Sequence, residues 1–153
     1  MIFAQDRREM RRIFFNAWIK YRAQQPLEDM EQQIADVILL HPEYHALLAD
    51  EEVALDSDYT PEQGESNPFL HMGLHIAIRE QLTTRRPPEI NELYQQLLEK
   101  LRDAHEAEHR MLECLGEVLW RAQRDAVEPD VAEYVMCLRR AAGLKPPCSG
   151  ITK

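Results

Sequence analysis

No run of apolar residues in this chain approaches the ~20 needed to cross a bilayer as a helix, and no segment alternates apolar with polar residues between turn signals. The first absence predicts a protein without membrane spans, and the second predicts no β-sheet. Cysteine is scarce: Cys114, Cys137 and Cys148 are odd in number and show no C-x-x-C spacing, which is cytosolic usage rather than a secreted disulfide framework. The amino terminus passes from Met1-Ile2-Phe3 straight into charge, without the apolar region of a signal peptide, so the expected location is the cytoplasm. Positive charge is also short. The net charge of -9 argues against a general nucleic-acid binder, because neutralising phosphates needs an excess of Lys and Arg. From Ala23 to Ile78 there is no Lys or Arg at all, while Glu28, Asp29, Glu31, Asp36, Glu43 and Asp50 begin a long acidic stretch. Before it, Arg7, Arg8, Arg11, Arg12, Lys20 and Arg22 make the first segment basic. Oppositely charged faces that lie near each other in the fold account for this division; an acidic surface that docks a protein partner is the alternative.

What is present is helical periodicity. Met10, Ile13, Phe14, Ala17, Trp18 and Tyr21 repeat at three and four residues, and Pro26 marks the end of that first helix. Met30, Ile34, Val37, Ile38, His41, His45 and Leu48 keep the same period. Pro42 pushes the residue before it away from helical angles, so His41 falls at a joint and His45 is the better placed of the two. The stretch from Asp50 to Ser66 has little periodicity and reads as a lid or a loose crossover. Asn67-Pro68 announces the next helix with a cap and a first-position proline. Its stripe is His71, Leu74, His75, Ile78 and Leu82. Residues 89–124 form one long periodic segment or two, with Asp103 available to cap the second. Pro129 opens a last helix that Gly143 closes. The expectation is an all-α, single-domain helical bundle of about five helices, four forming the core, over residues 1–144, with 145–153 a flexible C-terminal tail.

All six histidines fall into three pairs of identical spacing: His41 with His45, His71 with His75, and His105 with His109. Six histidines placed at random over this length would give roughly 0.2 such pairs. Residues four apart on a helix lie on one face, so each pair can aim two imidazoles at a common point. Imidazole suits zinc, copper, iron and nickel. The pattern therefore predicts a divalent transition metal, zinc, iron or nickel, held by the three pairs. Expected ligands are His71, His75, His105 and His109 first, His45 next, then His41 and Glu113, the last extending the His105–His109 ladder by one turn. Because the ligands must be neutral, binding should weaken below about pH 6. If the site is catalytic, a water on the ion would be the nucleophile, with Glu106, Glu108 or Glu113 as the base.

Other readings compete. A buried histidine network supporting a non-enzymatic interaction module needs no metal, but each ring would then need its own hydrogen-bond solution. His105-Glu106-Ala107-Glu108-His109 also satisfies H-E-x-x-H, in which two histidines bind zinc and the glutamate is the general base. A peptidase of that kind would leave the other two pairs unexplained. DinB-like bundles combine one H-x-x-x-H pair with a histidine from another helix, which His45 or His75 with His105 and His109 would reproduce.

His41-Pro42-Glu43-Tyr44-His45, then Asn67-Pro68-Phe69-Leu70-His71 with His75, then Glu113-Cys114-Leu115-Gly116-Glu117 with Trp120 resemble, in this order, an uncharacterised bacterial family, domain of unknown function 1841. The resemblance runs from about residue 7 to residue 142. It implies a bacterial, soluble, compact helical protein and brings no activity, cofactor or substrate.

Overall fold

The computed structural model describes residues 2–56 and 67–144. Among them are seven α-helices, two 3-10 turns and no strand: α1 Ile2–Arg22, α2 Asp29–Leu39, the turns Pro42–Tyr44 and Leu47–Ala49, α3 Glu51–Asp56, α4 Pro68–Thr84, α5 Ile90–Leu101, α6 Ala104–Asp125 and α7 Val131–Ala141. The all-helical expectation holds, with more helices than the five anticipated. The chain divides into two compact units, residues 1–76 and 77–153. No helix among the described residues is long and apolar enough to cross a membrane.

In the first unit, α1 packs against α2 and α3. The buried face of α1 is turned slightly from the stripe expected: Phe14, Phe15, Ala17 and Trp18 are inside, whereas Met10, Ile13 and Tyr21 are exposed. These side chains pack with Ile34, Val37, Ile38, Leu48, Ala54, Leu55, Phe69 and Met72 into one apolar core. Arg11 also lies on the inner face, 3% exposed. Its Nη1 donates to the carbonyls of Ala54 at 2.9 Å and Leu55 at 3.2 Å, and its guanidinium stands 4.9 Å over the Phe69 ring. A cation at a helix C-terminus meets both the dipole and the carbonyls that lack intrahelical donors, so this buried arginine finishes α3. The helix α3 is itself a departure from the loose crossover expected after Asp50; residues 57–66 of that stretch lie outside the described residues. The opposed charges of the first segment and the acidic stretch do meet, with Lys20 on Glu31 at 2.8 Å and Arg12 on Glu51 at 3.6 Å.

In the second unit the segment 89–124 resolves into two helices. Arg102 takes a left-handed conformation, φ 58°, and stops α5. Asp103 then caps α6 by accepting from the backbone N–H groups of His105 at 2.9 Å and Glu106 at 3.2 Å. The helix α6 packs against both α5 and α7, and its inner positions are Ala107, Met111, Leu112, Cys114, Leu115, Val118 and Ala122. Asp130 caps α7, and Gly143, φ 78°, closes it. The Tyr134 hydroxyl donates to Gln81 Oε1 at 2.6 Å.

The cysteines depart from expectation, since their number and spacing predict no disulfide. Cys114 of α6 and Cys137 of α7 are joined in a disulfide across a Cα–Cα distance of 5.7 Å, well inside the range that bridged pairs occupy. A separation of 23 residues carries no recognisable spacing; the packing of α6 on α7 creates the pair. Cys148 and the expected tail fall outside the described residues.

Candidate metal centre

The centre begins where α2 stops. His41, forced by Pro42 out of helical angles, sits at φ -128°, ψ 70°, and its ring folds back under the helix it has just ended. There Nδ1 donates to the carbonyl of Val37 at 2.8 Å, one of the C-terminal carbonyls a helix cannot satisfy internally. A ring that donates from Nδ1 keeps its lone pair on Nε2 when neutral. The contact thus fixes both the tautomer and the aim of His41, the role an outer hydrogen-bond partner plays for a ligating imidazole. Tyr44, two residues past Pro42, stacks on the ring with centroids 5.3 Å apart and planes 9° from parallel. Burial, and secondarily Glu43, pushes the Tyr44 phenol above its ordinary pKa, so it stays neutral beside the histidines.

The helix α4 brings the second pair. Asn67 Oδ1 accepts from the N–H groups of Phe69 and Leu70 at 2.9 and 3.2 Å, with Pro68 as the first helical residue, as expected. His71 and His75 follow on one face, one turn apart. His71 Nε2 lies 3.2 Å from His41 Nε2 and 3.2 Å from His75 Nε2. The three rings meet edge to face, with centroids 4.7 to 5.0 Å apart. His41 and His75 are almost wholly buried, at 1% and 0% exposure.

Hydrogen bonding alone accounts poorly for three nitrogens meeting in this way. An imidazole nitrogen offers either one N–H or one lone pair. If His71 Nε2 carries a hydrogen, it can donate that hydrogen along only one of its two short contacts. If instead it carries a lone pair, it can accept along only one. Either way, a second contact of 3.2 Å has no hydrogen to occupy it. A cation at the meeting point receives all the lone pairs at once. The two contacts of His71 fit such an ion: bonds of ~2.0–2.1 Å in tetrahedral directions place ligating nitrogens about 3.3 Å apart.

The other candidates fall elsewhere. His45, expected to outrank His41, turns its Nε2 onto the carbonyl of Ile38 at 3.0 Å and lies against Trp18, with centroids 4.8 Å apart. The order within the first pair is therefore the reverse of the one anticipated, because the proline joint swings His41 inward and leaves His45 to cap the end of α2. In the second unit His105 and His109 lie together on α6, centroids 4.1 Å apart. Glu113, one turn on, is exposed and belongs to no group of ligand type among the described residues. Glu106 is exposed at the first turn of α6. Glu108 is buried and spoken for: Arg79 Nε donates to its Oε1 at 3.2 Å. Nearby, burial and then Glu108 raise the Tyr94 phenol, against the smaller opposing pull of Arg79. With Glu106 exposed and no strand among the described residues to hold a substrate, H-E-x-x-H gains no support as a peptidase motif.

Sequence reasoning missed Val37 and Tyr44. A main-chain carbonyl has no sequence signature, but the dipeptide His41-Pro42 at the end of an apolar helix was a signal for it: a residue expelled from the helix there can return its side chain to the terminal carbonyls.

Nothing among the curated proteins or the solved structures matches the chain. A family match does exist and covers residues 6–140, nearly the whole chain. The chain therefore belongs to the family described as Domain of unknown function (DUF1841).

Proposed function

We propose that this protein binds a divalent transition metal, zinc, iron or nickel, through His41, His71 and His75. The observation that carries the reading is the convergence of three Nε2 atoms at 3.2 Å contacts that hydrogens cannot fill together. The Val37 carbonyl on His41 Nδ1 adds weight, since it is the outer partner a ligating imidazole usually has. The His105–His109 pair of α6 has the same four-residue spacing on a single helix, and substitution of His109 tests whether it takes part.

Three neutral nitrogens with an open fourth position are the arrangement of hydrolytic zinc, whereas a fourth imidazole closes the shell and makes the ion structural. Whether a fourth imidazole binds therefore decides the chemistry. The decisive experiment is metal analysis of untagged protein, followed by competition against a coloured chelator for wild type and single variants. Alanine at His41, His71 or His75 should weaken binding by more than the roughly 10–100-fold that losing an outer partner costs. His45→Phe should leave it unchanged. His109→Ala that weakens binding, or keeps it with one more exchangeable position than wild type, means that a fourth imidazole closes the shell; binding and exchangeable positions both unchanged mean an open one. Wild-type protein that stays substoichiometric after reconstitution, with an unchanged melting temperature, would mean an unmetallated histidine network in an interaction module.

A further inference from the structure

The disulfide does not lie sealed in the core of the second unit. Cys114 and Cys137 together line two clefts: one of about 260 Å³ with Val118, Arg121, Met136 and Arg140 on its walls, and one of about 370 Å³ reached past Arg110, Glu113 and Arg140. A bridge that solvent reaches from one side through such clefts is open to attack by a small thiol. The two sulfurs are not equivalent, because Cys114 is 4% exposed while Cys137 is only partly buried. Arg121 is engaged by both Glu117 and Glu133, whereas Arg140 is shared by the two clefts.

We propose that the Cys114–Cys137 bridge is a reversible thiol–disulfide exchange site, opened by a small thiol that bears carboxylates, which Arg140 attracts. The incoming thiolate attacks Cys137 Sγ and forms a mixed disulfide there. The Cys114–Cys137 bond breaks, and its electron pair leaves on Cys114 Sγ, which takes a proton from solvent. A second small thiolate then attacks the sulfur of the first, releasing their disulfide and leaving Cys137 as a thiolate that protonates. Two thiols are oxidised and one bridge is reduced.

The second unit survives the opening because α7 has other anchors. Tyr134, Val135 and Leu138 are buried, Tyr134 holds Gln81, Lys100 Nζ donates to the Ala141 carbonyl at 3.0 Å, and Arg121 bridges to Glu133. What changes is the tether on α6, the helix that also carries His105 and His109.

The test uses the full chain in a Cys148→Ser background, with reduced glutathione as the carboxylate-bearing thiol and 2-mercaptoethanol as the uncharged thiol without carboxylates. Thiol counting and mass spectrometry follow the bridge in native buffer. The expected results are a bridge in air-oxidised protein, faster opening by glutathione than by 2-mercaptoethanol at equal thiolate, and, in Cys114→Ser, a glutathione adduct on Cys137 formed by exchange with oxidised glutathione. Arg140→Gln should slow the glutathione reaction by about fivefold and leave the 2-mercaptoethanol reaction unaffected. Opening should lower the melting temperature by roughly 5–10 °C without loss of helical circular dichroism. Two free thiols in the air-oxidised protein, opening by glutathione only in urea, or equal rates for the two thiols on the wild type would each overturn the proposal.

Discussion

At the residue scale, two side chains owe their places to groups that helices leave unsatisfied at their ends. Arg11 finishes α3 from within the core, donating to the Ala54 and Leu55 carbonyls. Its replacement by Met keeps the apolar stem and removes the charge-assisted bonds, so Arg11→Met should destabilise the protein by ~2–3 kcal/mol, read from chemical denaturation. A smaller change would mean that α3 holds its end without this arginine. His41 does the same for α2 through Val37 and presents Nε2 to His71 as a result. His41→Gln should leave the fold cooperative and still weaken metal binding sharply, because the glutamine carbonyl is a poor substitute for imidazole toward zinc, iron or nickel.

At the scale of single helices, caps set the boundaries that position the histidines. Asp103 separates α5 from α6 and accepts the N–H of His105 itself. Asp103→Ala should cost about 1 kcal/mol and fray the first turn of α6, visible as faster amide exchange at His105 and Glu106. At the start of α2, the Glu28 backbone N–H donates to Glu31 Oε1 at 2.9 Å, and Lys20 donates to Oε2 at 2.8 Å. The Glu28 amide first, and Lys20 second, hold the Glu31 carboxyl below its ordinary pKa. A carboxyl lowered in the folded state favours folding above its unfolded pKa and loses that contribution as the pH falls through its folded value. Glu31→Gln should therefore lower the melting temperature near neutral pH and flatten its decline in acid; a melting curve with the same pH profile as wild type would rule this out.

For the whole molecule, the proposed metal binding would be linked to stability. If the ion binds only the folded chain, free metal at 100 times its dissociation constant raises stability by ~2.7 kcal/mol. Stripping with chelator should lower the melting temperature, and zinc should restore it in wild type but not in His75→Ala. Much of the architecture is legible in the amino-acid sequence. The helical class follows from the three- and four-residue periodicity, and the α4 cap is written in Asn67-Pro68. The meeting of the His71 and His75 rings follows from spacing, because neighbours one turn apart lie on one face. Other features are illegible there for equally physical reasons. Met10 and Ile13 are as apolar as Phe14 and Phe15, so local pattern could not say which face of α1 would be buried; packing on α2 and α3 decided it. The Cys114–Cys137 bridge depends on how α6 meets α7. The choice of His41 over His45 depends on where a proline joint points a ring in space. Sequence determined which side chains could act together along one helix, since helical geometry is local. Tertiary structure alone decided which of them meet across different elements, since that is set by packing between segments distant along the chain.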